Sequence, residues 1–334
     1  MELFDRRTLT GIIDRRPVKP KLFKELFFSR RNPLDTTTAQ LDIIVGGKSL
    51  VPFVTKFEGG TLIEGTTRES QVVETPRMRP KMHFSACNLL DFRQAGEPPV
   101  IKPGVTDDRV DKAIATDMQE LKDRVEITVE YMAAKSLQGG KIPLVGETFQ
   151  GEVDMRMPAS HIIVLGAGDT WADAGADPCE DLEVWADLIV DATGLTPDVC
   201  VQGVNAWQAF RNNAKVQGEL DNRRMETGQL APEVGKAYRG HVNGVDIYRY
   251  GGSYHDAAGQ VQKLMHPDYV VFGCTEAETT IDFGLPEDLE NSGPVEYFAK
   301  SRINWDPSYL EFLAESRPLP WLKQPDAFVF VKVV

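Results

Sequence analysis

Between Thr106 and Gln138 the apolar residues Val110, Ile114, Met118, Leu121, Val125, Val129 and Met132 recur at steps of three and four. That is the period of one helix face, so the pattern predicts a single helix over 106–138. Thr106 suits its N-cap, Asp107 and Asp108 suit the positive first turn, and Gly139-Gly140 supplies a stop. At about 1.5 Å per residue the rod would be roughly 45 Å long, where an average helix has about 11–12 residues. One narrow apolar stripe on such a rod fits a strut in an extended molecule, and equally a long core helix of an enzyme.

Elsewhere the pattern alternates. Leu41 to Phe57 is β-like with Gly46-Gly47 as a turn, and Thr61 to Glu74 returns as a second β-like run, which predicts a long two-stranded excursion. Five prolines within 76–104 predict little regular structure there. Val153, Met155 and Met157 alternate with Glu152, Asp154 and Arg156 as a half-exposed strand. Helices are expected at 178–191, led by Pro178 with Glu180 and Asp181 in the first turn, and at 204–216, carrying Trp207 and Phe210. Gly244–Tyr250, Tyr269–Phe272 and Ala327–Val334 are predicted strands, the last tying the chain end into a sheet. Residues 1–34 differ: basic pairs and prolines surround one apolar cluster, Leu22 to Phe28, too small to bury a core alone. They read as an arm that docks elsewhere.

Composition narrows the classes. With 334 residues, 42% apolar and 26% charged, the chain suits about two globular domains. No run approaches the roughly 20 apolar residues of a membrane helix, and MELFDRRTLTG lacks a secretory apolar stretch, so a soluble chain made in the cytoplasm is expected. The net charge of −13 argues against a free-standing nucleic-acid binder. Its placement is uneven: residues 1–31 hold nine basic against four acidic residues, whereas 276–296 holds seven acidic residues and no Lys or Arg. Such segments suit contact with unlike neighbours, or simply a solvated surface.

The chemistry is sparse. Cys87, Cys179, Cys200 and Cys274 form no CxxC, and the five histidines form no HxH or HExxH, so neither disulfide framework nor metal site is expected. The apolar run Ile162–Leu165 followed by Gly166-Ala167-Gly168 resembles the phosphate turn of a dinucleotide fold. Trp171, however, stands where the third glycine is needed, and Gly175 and Pro178 break the helix that should follow. A nucleotide-binding oxidoreductase using 162–170 is the alternative function, and a flexible loop is the plainer account of the turn.

Several pieces together carry a family resemblance. They are Leu22–Phe28, Pro76-Arg77-Met78-Arg79-Pro80-Lys81, the long helix, Gly146–Phe149 leading into Val153–Met155, Leu220–Arg224, Tyr250–Tyr254 and Pro325–Val329. In this order they resemble the phage lambda-type major capsid proteins, the capsid protein E family, over nearly the full length. The resemblance implies an α+β chain with the Hong Kong 97-type capsid fold: an N-terminal arm at 1–34, an extended β loop at 35–85, a peripheral domain at 86–165 with the spine helix, an axial domain at 166–296, and a return to the peripheral domain at 297–334. It implies a head protein of a tailed double-stranded DNA bacteriophage or prophage, not an enzyme, that needs no cofactor and assembles in the host cytoplasm into the virion. Expected partners are other copies in hexamers and pentamers, a scaffolding protein, a portal at one vertex, a decoration protein in some shells, and packaged DNA; no membrane is involved. Phe23, Phe27, Phe28, Phe53 and Phe57 are expected at subunit interfaces. Arg6, Arg7, Arg15 and Arg16 are expected to face scaffold or DNA, or else acidic groups of the adjacent subunit. Lys48, Lys56 and Lys81 lie where some related shells cross-link, but the lambda-type likeness implies non-covalent stabilisation.

Overall fold

The computed structural model describes residues 22–45, 67–85, 105–146, 150–173, 175–222, 237–256, 259–291, 293–306 and 309–334. The chain begins with a short helix α1 (Leu22–Leu26) and strands β1 (Arg30–Pro33), β2 (Thr38–Val45), β3 (Thr67–Glu74) and β4 (Lys81–Ser85). β2 and β3 pair antiparallel from Thr38↔Glu74 to Val45↔Thr67, the two legs of the expected excursion. The span between them, with Phe53, Phe57, Lys48 and Lys56, lies outside the described residues. β4 is a regular strand inside the proline-rich stretch expected to be irregular. Its ladder partner lies far along the chain, which a local proline count cannot register.

The long helix α2 spans Val105–Leu137, within a residue of its predicted limits. Met118, Leu121, Val125, Val129 and Met132 are all buried. Gly139 and Gly140 then take φ 94° and 72°, a left-handed exit that costs glycine little. A Cβ at Gly140 would lie 2.6 Å from the Met157 Cβ, so the segment leaving the next hairpin packs tightly against this stop. That hairpin is β5 (Lys141–Val145) with β6 (Gln150–Asp154). Leu121 is 1% exposed; Leu121→Ala should therefore cost about 2–5 kcal/mol in urea unfolding. A change below about 0.5 kcal/mol, the scale of a surface site, would contradict the strut role.

The remaining elements are β7 (Ile162–Val164), α3 (Pro178–Thr193), β8 (Val199–Gln202), α4 (Val204–Asn212), α5 (Ala214–Asn222), β9 (Tyr238–Val242), β10 (Val245–Arg249), β11 (Ser253–His255), β12 (Val261–Lys263), β13 (Tyr269–Gly273), β14 (Thr279–Phe283), β15 (Phe298–Asn304), β16 (Tyr309–Glu315), β17 (Pro318–Leu322) and β18 (Phe328–Lys332). α3 starts on an Asp177 cap and ends at a left-handed Gly194. The helix predicted over 204–216 is two helices. Asn213 breaks it, its amide bonding Ala176 O at 3.1 Å while its carbonyl caps Lys215 N at 2.9 Å.

A six-stranded sheet in the order β7-β18-β13-β8-β10-β9 carries α3, α4 and α5 on one face. Its other face, through Val199, Val201, Val271, Phe328 and Phe330, joins the core around α2. Two three-stranded sheets, β1-β14-β17 and β15-β16-β4, complete the α2 side. The expected spans do not map one to one onto these sheets. β14, inside the span expected to be axial, pairs with β17 and the arm strand β1, whereas β18, expected to be peripheral, sits within the six-stranded sheet. All five β14 residues are buried, which draws this part of the acidic stretch into the core around α2.

The dinucleotide-like turn is also explained. β7 is an edge strand with Ile162 and Val164 exposed. Trp171 beyond it is buried, stacks on Trp185 at 5.9 Å, and donates its indole N–H to Asp181 at 2.8 Å. An indole fills the place where a phosphate helix would have to begin.

Candidate functional site

The arm meets the long helix at two buried carboxylates one turn apart, Glu126 and Glu130 on α2. Glu130 accepts from the first amides of α1, Phe23 N at 3.1 Å and Lys24 N at 3.2 Å, and from the Tyr250 hydroxyl at 2.8 Å. A carboxylate here satisfies N–H groups that a helix start leaves open and complements their partial positive charge. Burial pushes the Glu130 carboxyl above its ordinary value, and the Phe23 amide, the Tyr250 hydroxyl and the Lys24 amide draw it part of the way back. Burial and the adjacent Glu130 together push the Tyr250 phenol up. Glu126 takes the Lys24 ammonium and the Tyr297 hydroxyl, and Arg31 approaches it at 3.4 Å. Burial works against the Arg31 charge, but Glu126 and Glu296, the latter at 2.8 Å, outweigh it and raise its pKa.

A second cluster holds the base of the β2–β3 excursion. Glu315 on β16 is fully buried and receives Arg77 Nε at 2.9 Å, Arg79 Nε at 3.2 Å and the Glu287 amide at 3.2 Å. Arg317, also buried, reaches Glu74 and Glu287, each at 3.2 Å. Asp288 binds Arg79 at 3.0 Å and Lys300 at 2.6 Å. Burial alone would raise Asp288, but the Lys300 bond, the Glu290 amide and the two cations hold it below the usual carboxylate range. Several charges of the acidic stretch thus pair with basic residues of the same chain, including Arg31 from the basic start.

The residues expected at interfaces separate on this geometry. Phe23, Phe27 and Phe28 are 0%, 2% and 2% exposed within their own subunit. Phe23 meets Tyr250 edge-on at 5.1 Å, and Phe27 meets Phe328 at 5.3 Å. They anchor the arm to its own core and leave no surface for a neighbour, which corrects the interface expectation for these three. Phe53, Phe57, Arg6, Arg7, Arg15 and Arg16 lie outside the described residues.

Glu126, Glu130, Glu315 and Arg317 were not singled out by sequence. A signal existed for the first two: Lys122, Glu126 and Glu130 follow each other at i, i+4, i+8 beside the apolar stripe, and all three are buried. Among the described residues no group of three or more His, Cys, Asp or Glu could hold a metal, and no helix is long and apolar enough to cross a membrane. Burial pushes the Cys200 thiol up to about 12, the mark of a core residue.

What these anchors do chemically is hold two extensions on one body. Comparison with known proteins agrees over the whole chain. The family model for phage major capsid protein E matches residues 5–333. The chain is 27% identical to the major capsid protein of Escherichia phage N15 and 26% identical to that of Enterobacteria phage P21, covering all of both sequences in each case. A crystal structure from Escherichia coli CFT073, described as a prophage capsid protein, superposes with a TM-score of 0.75 at 20% identity, covering 99% of each chain. That likeness shows the fold, the α+β Hong Kong 97-type expected from the sequence. A nucleotide-dependent oxidoreductase is thereby set aside, and the chain belongs to the phage major capsid protein E family, whose members build the shell of the phage head.

Proposed function

We propose that this chain forms the hexamers and pentamers of an icosahedral head that encloses packaged double-stranded DNA, with a portal at one vertex, and that it assembles on a scaffolding protein in the host cytoplasm. The observation that carries this is the family match from residue 5 to 333. The two carboxylate anchors support it physically. They fasten the base of the arm and of the β2–β3 excursion to the body of the subunit, and modest contacts between copies, repeated over a closed surface, hold a shell. No chemical step is required. Electron microscopy of the purified protein should show shells, tubes or capsomers, and a protein that stays monomeric across concentration and salt would overturn the proposal.

Two finer expectations belong here. The shell is held without covalent links, so boiled, reduced particles should run as one monomer band; a ladder of resistant multimers would contradict this. Lys81 is already paired with Glu311 at 3.2 Å. The arm's first basic residues meet scaffold or DNA. Changing Arg6, Arg7, Arg15 and Arg16 to Gln should weaken scaffold recruitment or genome retention several-fold at low salt, and the deficit should shrink as salt rises, because the parent then loses the same contacts. Particles of parental size that recruit scaffold and keep their DNA across a salt series would show the arm to be a structural strap.

A further inference from the structure

The helical face of the six-stranded sheet carries opposite charges at its two ends. α3 holds Glu180, Asp181, Glu183, Asp187 and Asp191 and no Lys or Arg. While Leu182, Trp185 and Ile189 face the core, Val184 and Val190 are 59% and 38% exposed beside Glu183 and Asp187. The outward face of α3 is thus an acidic ridge with one valine on each flank, the two lying about 120° apart around the helix. Among the described residues no ion pair engages Glu183 or Asp187.

At the other end lies a cavity of about 480 Å³ lined by Trp207, Gln208, Arg211 and Asn212 of α4 and by Arg249 of β10. Arg239 of β9 is buried close by; burial and the Arg249 charge both push its pKa down. Arg249 Nε is buried without a hydrogen-bond partner among the described residues, and no ion pair there engages Arg211 or Arg249. Two guanidinium groups beside an indole wall make a receptor for carboxylates carried on an apolar surface.

α3 packs against β18, while Arg249 lies on β10. β18 and β10 are three ladder spacings apart in the sheet, about 14 Å. Acidic knob and basic socket are therefore different patches of one layer. A two-fold contact would pair knob with socket reciprocally and stop at two copies, whereas a head-to-tail contact repeats knob in socket and closes into a ring when its rotation permits. We infer that the acidic outward face of α3 in one copy docks into the arginine-lined cavity of the next copy, and so around the capsomer. This rests on the proposal that the chain assembles into rings.

The test reverses each patch separately at exposed positions: Glu183→Arg with Asp187→Arg, and Arg211→Glu. Both variants should melt like the parent yet form capsomers about tenfold less readily, because like charges now face each other. Mixed in equal amounts they should recover, since each offers the patch the other needs. The recovered rings must alternate, so hexamers return without pentamers, giving tubes or flat arrays in place of closed shells. One chain carrying all three changes should close shells again. The milder Asp187→Asn and Arg211→Gln should weaken assembly in the same direction. Single-patch variants that assemble like the parent, or a triple variant no better than either, overturn the docking while leaving the shell proposal intact. An unmodified chain that never associates takes both down.

Discussion

Glu126→Ala should lower the stability of the folded subunit by about 3–5 kcal/mol, the scale for removing one partner of a buried ion pair. Glu126 is 1% exposed and Lys24 8%. The truncation strands the Lys24 ammonium between α1 and α2 and deprives the Tyr297 hydroxyl of its acceptor. Arg31 suffers less, because its side chain is 34% exposed and Glu296 remains. The loss should fall with the charge that is left behind. A double change, Glu126→Leu with Lys24→Met, replaces the pair by apolar volume and should recover most of the deficit. Urea unfolding of the two variants reads the difference, and tryptic cleavage within 19–31 reports whether the arm has lifted. If Glu126→Ala is as stable and as resistant as the parent, the clamp does not hold the arm.

The clamp also shows what the sequence made legible. The stripe from Met118 to Met132 could be read because periodicity records which positions of one helix share a face. The proline-led start at Pro178, the stop at Gly139-Gly140 and the terminal strand are likewise local. The burial of Phe23, Phe27 and Phe28 is not: the cluster is too small to form a core, and the partners that bury it lie more than 100 residues away. Glu126 and Glu130 did not stand out because a periodicity count weighs only apolar residues. Their burial is compensated by two arm amides, an ammonium and two tyrosine hydroxyls from three other segments. The acidic stretch misled for the same reason. Arg77, Arg79, Lys300 and Arg317 match several of its charges, all from outside 276–296. The family resemblance supplied the fold, but the pairing of β14 with β17 and of β18 with β13 was settled by long-range ladders that no local pattern records.

Glu315→Ala should cost about 2–3 kcal/mol, less than at Glu126, because Arg77 and Arg79 are each about a third exposed and can turn to water or to the neighbouring acids. The change removes the acceptor common to both arginines and to the Glu287 amide, leaving an apolar methyl where three donors converge. The two arginines follow β3 directly, so the loss should be felt first at the base of the β2–β3 excursion. Amide exchange across 72–80 should quicken more than exchange in β8 or β13, which belong to the other sheet. Glu311→Ala on the same strand is the comparison: its Lys81 partner is 54% exposed, so the pair contributes about 0–1 kcal/mol. If the two variants lose equal stability and exchange alike, the buried carboxylate does not pin the excursion. If only Glu315→Ala loosens 72–80, the angle at which the excursion leaves the body is set by a charge network within the subunit, and neighbours in a shell meet a loop already aimed.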